Sequence, residues 1–371
     1  MRVLHVSDHY PPVLGGIERH VAALAERQAA RGDDVSVLTS GRATADGRHS
    51  DDTGAVAVRR VRSGREVSPV DLATYDVLHA HVSVVAPFTA PLVAAAARRG
   101  LPTVVTVHSL WSRMGPLPAA AAQLAGLRTA PVHWTSVSRV AADDLATRLP
   151  QGTRIEVLAN AVDVEPRSHT PVAPAGGPVR LVSTMRIARR KRPEALLRMF
   201  ERLARSVDVP LELTVIGDGP RRPELERRLS GSPVADLVRI SGRVEPEEVR
   251  GLLSRADIYV APAILESFGL AALEARSVGL PVVGRAGNGL TDFVTAGREG
   301  LLAHSDRELV AALRRLVVDA DLRFGISEHN RTVAPVQSWA QTLDDHDDTY
   351  ARAIDRTRAR RGLTSWSRVR R

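Results

Sequence analysis

The sequence of 371 residues contains no cysteine, and only 4% of its residues are aromatic. The absence of cysteine excludes disulfides, thiolate metal ligands and a cysteine nucleophile. Long apolar runs are also missing, because the longest uncharged stretch, residues 82–97, has sixteen residues and two prolines. That stretch is too short and too broken for a membrane span. The N-terminus lacks the apolar core of a signal peptide, so we expect a cytoplasmic protein.

The formal net charge of +9 is concentrated at the C-terminus. Residues 356–371 contain seven arginines and no acidic residue, so residues 1–355 carry only +2. We therefore expect no nucleic-acid binding by the body of the chain. The basic tail, which includes Trp366, predicts either a disordered segment or a peripheral contact with the anionic inner face of the membrane.

Short apolar segments alternate with amphipathic ones, which predicts parallel sheets with helical crossovers. The first series predicts strands at 2–7, 34–39, 55–61, 76–80, 102–107, 133–137 and 155–158, and helices at 17–31, 86–99 and 139–148. The second series predicts strands at 179–184, 211–216, 237–241, 257–260, 281–284 and 300–303, and helices at 193–205, 220–229, 246–255, 268–278, 306–317 and 338–354.

This alternation predicts an α/β protein with two Rossmann-like doubly wound domains that face each other across a cleft. The N-terminal domain covers residues 1–164, and a linker rich in proline and glycine covers 165–178. The C-terminal domain covers 179–335. We expect a terminal helix at 336–355 that packs back on the N-terminal domain, ahead of the basic tail.

Two carboxylates, Glu266 and Glu274, lie eight positions apart around the predicted start of helix 268–278. Helix geometry places Glu274 about two turns inside the helix, while Glu266 precedes it. Both then lie at the carboxyl edge of a parallel sheet, where α/β proteins bind ligands. Because carboxylate oxygens accept hydrogen bonds from hydroxyl groups, the pair predicts a sugar or ribose ligand.

Lys191 is the only lysine, since the other fifty basic residues are all arginine. Together with Arg186 it follows the predicted strand 179–184 and precedes the predicted helix 193–205. Cations beside a helix N-terminus form an anion site, and a flexible ammonium can reach a phosphate oxygen. The alternative is that Lys191 has no functional role and remains by chance, in a sequence biased toward arginine, on a solvent-exposed loop.

Three histidines and a glycine pair are further candidates. Gly15 and Gly16 follow the first strand and allow a backbone to approach a phosphate closely, although a plain turn explains them equally well. His108 ends a predicted strand, where it is either a residue of the cleft or a satisfied histidine at the edge of the core. His5 fits a buried position in the first strand, and His20 lies on the first helix.

Several motifs occur in a fixed order: GG at 15–16, HS at 108–109, SVSRVAADDL at 136–145, LANAVD at 158–163, R-x4-K at 186–191, VIGDGP at 215–220, ISGRV at 240–244 and E-x7-E at 266–274. With these motifs in this order, the chain resembles the retaining GT-B glycosyltransferases, specifically glycosyltransferase family 4. The resemblance covers roughly residues 1–354. The combination of E-x7-E with R-x4-K is specific, whereas GG and DGP alone are common.

The resemblance implies a role for each matching residue. Arg186 and Lys191 would bind the donor diphosphate, Glu274 the ribose, Glu266 the donor-sugar hydroxyls, and His108 would face the reacting carbon. The implied catalytic residues are His108, Arg186, Lys191 and Glu266. The implied donor-binding residues are Gly15, Gly16, Arg186, Lys191, Arg243, Val244, Glu266, Phe268, Gly269, Leu270 and Glu274.

The expected function is transfer of a hexosyl group from a UDP- or GDP-sugar to an acceptor hydroxyl, with retained configuration and without a metal or cofactor. The resemblance leaves the acceptor open among a sugar, a lipid and a small molecule. Three positions depart from the family pattern. Ser109 removes one polar contact, Met185 stands where a glycine is common, and Asp292, where a glutamate is more usual, leaves the donor sugar open. Two alternatives also stay open: a metal site at the acidic run 344–348, and a non-catalytic sugar-nucleotide binder.

Overall fold

The computed structural model describes residues 1–13, 15–40, 50–51, 55–61, 67, 72–83, 86–111, 126–163 and 177–368. The chain divides into two compact units. Unit 1 comprises Met1–Asn160 with Ala340–Arg371, and unit 2 comprises Ala161–Trp339. None of the helices in the described ranges combines the length and the apolar character needed to cross a bilayer.

Unit 1 is built on an eight-stranded sheet with the order β3-β4-β2-β1-β5-β6-β7-β8. The neighbouring strands pair in parallel except for β3 with β4. The strands are β1 Arg2–Ser7, β2 Asp34–Ser40, β3 Ser50–Asp51, β4 Ala57–Val61, β5 Val77–Val82, β6 Thr103–Val107, β7 His133–Ser136 and β8 Ile155–Val157. The helices described in this unit are α1 Gly16–Ala30, α2 Thr89–Arg98, α3 Arg139–Ala146 and, from the end of the chain, α10 Trp339–Arg368.

The central strands of unit 1 bury both faces, as expected for a parallel sheet covered by helices. Along β1, Leu4 and Val6 pack into a cluster that includes α2, whereas Val3 packs into a second cluster with α1 and α10. Because side chains alternate between the two faces of a strand, His5 lies on the side of α1 and α10. This face of the sheet is therefore partly polar.

Unit 2 has a six-stranded parallel sheet with the order β11-β10-β9-β12-β13-β14. The strands are β9 Val179–Thr184, β10 Leu211–Ile216, β11 Val238–Gly242, β12 Ile258–Ala261, β13 Val282–Arg285 and β14 Gly300–Ala303. The helices are α4 Pro193–Ala204, α5 Arg222–Ser230, α6 Pro246–Ser254, α7 Leu270–Ser277, α8 Asp306–Val318 and α9 Ala320–Thr332. One apolar cluster joins α4 and α8 to this sheet.

The predicted fold class is confirmed, since both units are parallel doubly wound α/β structures. Helix α9 and the two-residue strand β3 were not predicted from the sequence. Helix α10 continues to Arg368, so the basic segment is helical from residue 356 to 368, where disorder was one of two expectations. The predicted linker, residues 165–178, lies outside the described residues except for its last two positions.

Candidate functional site

The strand order of unit 2 defines the place where its ligand site is expected. Strand β9 lies between β10 and β12, so the connections that leave β9 and β12 run in opposite directions. The loops after these two strands separate at the carboxyl edge of the sheet and form a crevice, which is where open α/β sheets bind ligands. The loop after β9 holds Arg186 and Lys191, and the loop after β12 holds Glu266.

The two loops meet through a direct ion pair. The Lys191 ammonium donates a short hydrogen bond to Glu266 Oε2. The Lys191 side chain remains 36% exposed and that of Glu266 18% exposed, so the pair is open to solvent. Arg186 is exposed and, within the described ranges, forms no ion pair. The structure therefore brings together Lys191 and Glu266, which the sequence analysis selected from segments 75 residues apart.

The backbone that presents Lys191 is held by the next residue, Arg192. Residues Arg189–Lys191 form a 3₁₀ turn, and Arg192 adopts a left-handed conformation with φ 59° before α4 begins at Pro193. A non-glycine residue in this region is strained and needs support. The Arg192 guanidinium supplies that support with bonds of 2.9 and 2.8 Å to the Asp306 carboxylate and 3.1 Å to the carbonyl of Pro262. The same guanidinium holds the pKa of Asp306 below its ordinary value.

The loop that carries Glu266 is fixed by the loop after β13. The amide of Gly289 donates to the Glu266 carbonyl at 2.9 Å, and the buried Asn288 amide group donates to the Ala263 carbonyl at 3.2 Å. A Cβ atom on Gly289 would lie 2.4 Å from the carbonyl oxygen of Ser267. Only glycine permits this backbone contact, so residues 288–289 position Glu266.

Helix α7 begins directly after this loop. Gly269, with φ 98°, caps its N-terminus, and the amides of Leu270 and Ala271 occupy its first turn, where no intrahelical acceptor exists. The Phe268 side chain is buried 5.5 Å from the ring of Phe293, so this residue can offer a ligand only its backbone. The free end of the helix attracts an anion.

Glu274 lies inside α7 and is half-buried. On strand β12, which contacts α7, the Tyr259 hydroxyl donates to the Thr184 carbonyl at 3.1 Å. Burial raises the pKa of Tyr259, and the nearby carboxylates of Glu274 and Glu266 raise it further. Both predicted carboxylates therefore act on one buried tyrosine of β12.

The loops after β10 and β11 continue the same edge of the sheet. The amide of Met185 donates to Ile216 at 2.9 Å, and a Cβ on Gly217 would lie 2.0 Å from the Met185 carbonyl oxygen. The glycine of the VIGDGP motif thus allows close approach of the loop that carries Arg186. In the next loop, Arg243 is exposed and Val244 is half-buried, so both are placed where a ligand can contact them.

In unit 1, the predicted glycine pair lies at the start of α1, with Gly15 as its N-cap and Gly16 as its first residue. Asp8, which was not predicted, is buried and accepts hydrogen bonds from the amides of Phe88 and Thr89 at 2.9 and 3.3 Å. It joins the loop after β1 to the start of α2 at the point where the strand order of this sheet reverses.

His108 follows β6 at the carboxyl edge of the same sheet and is 5% exposed. Its Nε2 lies 3.1 Å from His81 Nδ1, and its Nδ1 is buried without a hydrogen-bond partner in the part of the chain that the structure describes. Burial lowers the pKa of His108 to about 3, so its imidazole is neutral at physiological pH. His20, on α1, is also buried, with its ring 6.2 Å from that of His108.

Three buried histidines, His5, His79 and His81, have nitrogen atoms within 4.8 Å of one another. Both nitrogens of each ring already take part in hydrogen bonds with neighbouring residues. A metal ion at this cluster would have to break several of those bonds, so the cluster is a hydrogen-bonded network. The sequence signal for it is the alternation VLHAHV in β5, which places two histidines on one face of a buried strand.

The acidic run 344–348, the sequence candidate for a metal site, lies on α10. Asp344 and Asp347 pair with Arg31 at 2.6 and 3.4 Å, and His346 donates from Nδ1 to the Thr342 carbonyl at 2.6 Å. Within the described ranges, the side chains of this run do not form a group able to hold a metal. These contacts attach α10 to α1.

The fold class is GT-B, which has two parallel-sheet α/β domains. A solved structure of HepE from Anabaena in complex with UDP-glucose is similar, with a TM-score of 0.73 over 95% of this chain and 99% of that chain. Its sequence identity is 16%, so this likeness shows the fold alone.

The sequence comparison then gives the family. Residues 14–166 match Glycosyltransferase Family 4, and residues 165–333 match Glycosyl transferases group 1. The chain belongs to this family of glycosyltransferases, which confirms the resemblance drawn from the motifs.

Two curated relatives are each called D-inositol 3-phosphate glycosyltransferase. The protein from a Nocardioides species is 29% identical over an alignment of 419 positions, which covers 95% of this chain and 90% of that one. The protein from an Arthrobacter species is 30% identical over 211 residues, which covers 56% of this chain and 50% of that one. The second match thus spans about half the length of its relative.

Proposed function

We propose that this protein is a retaining hexosyltransferase that moves a sugar from a nucleotide diphosphate to an acceptor hydroxyl without a metal ion. The observation that carries the proposal is the contact between Lys191 and Glu266 at the carboxyl edge of unit 2. It joins a cation suited to phosphate with a carboxylate suited to sugar hydroxyls, in a chain of a glycosyltransferase family.

In the proposed mechanism, the donor diphosphate replaces Glu266 as the partner of Lys191. The ammonium is 36% exposed and sits on a flexible side chain, so it can turn to a phosphate oxygen. Arg186 adds a second cation, and the amides at the start of α7 add hydrogen-bond donors. Glu266, once released, accepts hydrogen bonds from the sugar, and Glu274 accepts from the ribose.

During transfer, the bond between the anomeric carbon and the diphosphate oxygen breaks, and a bond to the acceptor oxygen forms on the same face of the sugar. The acceptor proton passes to the departing phosphate oxygen. Negative charge builds up on the diphosphate as the carbon becomes cationic, so fixed cations stabilise the transition state more than the ground state. Arg186 and Lys191 supply the charge that a divalent cation provides in other transferases.

The donor we favour is a UDP-sugar, supported by the fold shared with HepE in its complex with UDP-glucose. A GDP-sugar fits the same charged groups, since Arg186 and Lys191 contact the diphosphate and not the base. The names of the relatives make a phosphorylated inositol one acceptor to test.

The proposal is tested with a panel of UDP- and GDP-sugars. Thermal shift identifies the donor, because a bound ligand raises the melting temperature according to its affinity. Turnover is then followed with inositol phosphate, simple sugars and water as acceptors, and NMR gives the anomeric configuration of the product. A retained anomer supports the proposal. Donor binding without turnover on any acceptor would favour the non-catalytic binder, and an inverted anomer would contradict the mechanism.

A further inference from the structure

A continuous chain of hydrogen bonds crosses the buried core of unit 1. It links nine groups in the order His108, His81, His5, Gln28, Tyr350, His79, Thr106, Thr135 and the backbone carbonyl of Val105. The heavy-atom distances along it are 3.1, 2.9, 2.7, 3.2, 2.8, 2.7, 2.6 and 3.2 Å. Each side chain in it is buried.

The donor-to-acceptor direction along these hydrogen bonds is set by the last group, the backbone carbonyl of Val105. A carbonyl oxygen can only accept, so Thr135 donates to it. The single hydroxyl hydrogen of Thr135 is then used, and Thr106 donates to Thr135. His79 must therefore donate from Nε2 to Thr106 and accept at Nδ1 from the Tyr350 hydroxyl.

The other half of the chain continues in the same direction. Because Tyr350 donates to His79, it accepts from the Gln28 amide nitrogen, which leaves the Gln28 carbonyl oxygen facing His5. His5 donates to that oxygen from Nε2, so its Nδ1 accepts from His81. By the same reasoning His81 donates from Nε2 and accepts at Nδ1 from His108 Nε2.

The opposite polarity is less favourable for two reasons. It would remove the bond from Thr135 to the Val105 carbonyl. It would also place a hydrogen on His108 Nδ1, which is buried with no acceptor in the described part of unit 1. An orphaned buried N–H is rarer and costlier than an unused lone pair on a ring nitrogen.

We propose that Gln28 and Tyr350 are positioning residues that hold His108 in its Nε2–H tautomer and so present its Nδ1 as a hydrogen-bond acceptor at the carboxyl edge of unit 1. A neutral nitrogen acceptor binds a hydroxyl group and does not bind a phosphate oxygen. The ligand group we assign to it is therefore a sugar hydroxyl, an assignment that rests on the proposed function. Neither Gln28 nor Tyr350 contacts this ligand itself.

The first test is independent of any activity. Histidine-labelled protein without donor is studied by two-bond ¹H–¹⁵N NMR, which distinguishes the two neutral tautomers. We expect His5, His79, His81 and His108 to be neutral Nε2–H forms. His346, whose Nδ1 donates to Thr342, should be the neutral Nδ1–H form and serves as an internal reference. An Nδ1–H or charged form at any of the four would overturn the proposal.

The second test uses Gln28→Met, which nearly keeps the volume and removes both the carbonyl oxygen and the NH₂ group of the amide. His108 should then show a mixture of tautomers, and kcat/KM for the sugar donor should fall by the inverse of the fraction that keeps the Nε2–H form, roughly two- to tenfold. Affinity for the nucleoside diphosphate alone should not change, because it lacks the transferred sugar whose hydroxyl His108 is proposed to bind. Leu24→Met, at a buried position one turn earlier on α1, is the matched packing control.

The two tests fail in different ways. If the wild-type protein shows the expected tautomers but turns over no sugar donor, the proposed function is rejected. The donor-to-acceptor direction assigned to the hydrogen bonds then still stands. A single Nε2–H tautomer of His108 in a folded Gln28→Met protein would reject the positioning role, whatever the activity.

Discussion

Acid should unfold unit 1 well before it affects unit 2. Besides His133, which pairs with Glu156 at 2.9 Å, unit 1 buries six histidines among its described residues, namely His5, His20, His79, His81, His108 and His346. Burial lowers the pKa of every one of them, to about 4 for His5 and His346, to about 3 for His108, and well below the ordinary value for the other three. The folded unit therefore keeps them neutral where an unfolded chain is protonated.

The direction and size of the effect follow from proton linkage. An unfolded histidine titrates near 6.5, so the stability is fully present above about pH 6.5 and is lost as the pH falls toward 4. At pH 5.5 a histidine with a folded pKa of about 4 costs the folded state about 1 kcal/mol of stability. All six groups are shifted in the same direction, so together they cost several kcal/mol at pH 5.5, which is comparable with the whole stability of a domain, about 5–15 kcal/mol.

Hydrogen exchange at pH 7.5 and 5.5, corrected for intrinsic rates, measures the opening free energy of each unit separately. We expect that of unit 1 to fall steeply, while that of unit 2 changes little. His346→Gln should reduce the loss in unit 1 by about 1 kcal/mol at pH 5.5, and His304→Gln, at an exposed position of unit 2, should not. A fall in unit 1 of less than about 2 kcal/mol, or an equal fall in both units, would refute the reasoning.

Three further predictions concern other parts of the molecule. Sugar transfer should survive excess EDTA, because the proposed charges are side-chain cations; loss of activity that Mg²⁺ restores would reverse this view. Deleting residues 363–371, which spares the bond of Arg361 to the Gly100 carbonyl, should weaken binding to anionic vesicles at low salt while donor hydrolysis is kept; unchanged vesicle binding would leave the tail without a membrane role. Gly289→Ala should lower stability by about 1–3 kcal/mol and weaken donor binding, because its Cβ would overlap backbone. The control Gly325→Ala, with no atom within 4 Å of the added Cβ, should leave stability unchanged or raise it. Equal effects of the two substitutions would argue against a role of residues 288–289 in positioning Glu266.

The apolar pattern predicted the strands well, because buried parallel strands are short uncharged runs with turn residues at both ends. The bounds of β9, β10 and β14 agree with the sequence prediction residue by residue. Helix α9 was missed because its sequence is polar and contains Gly325, and it depends on the Asp319 side chain, which caps it by accepting from the Leu322 amide at 2.9 Å.

Motif spacing located Lys191 and Glu266, since the ends of adjacent parallel strands must meet at one edge of a sheet. It could not locate the residues that hold them. Asn288 bonds to a carbonyl 25 residues away, and Arg192 pairs with a carboxylate 114 residues away. Such contacts depend on tertiary packing, which leaves no periodic signal in the chain.

The most direct test of the proposed function is the turnover of Lys191→Ala with the nucleotide-sugar donor found by the panel. Losing the ammonium removes stabilisation of the departing diphosphate, so turnover should fall by roughly 10²-fold or more, with the fold intact by circular dichroism. Arg190→Ala removes the same charge from the exposed neighbouring position and should leave turnover nearly unchanged. A large loss confined to Lys191→Ala is the result that we predict, and unchanged turnover in that variant would contradict the proposed mechanism.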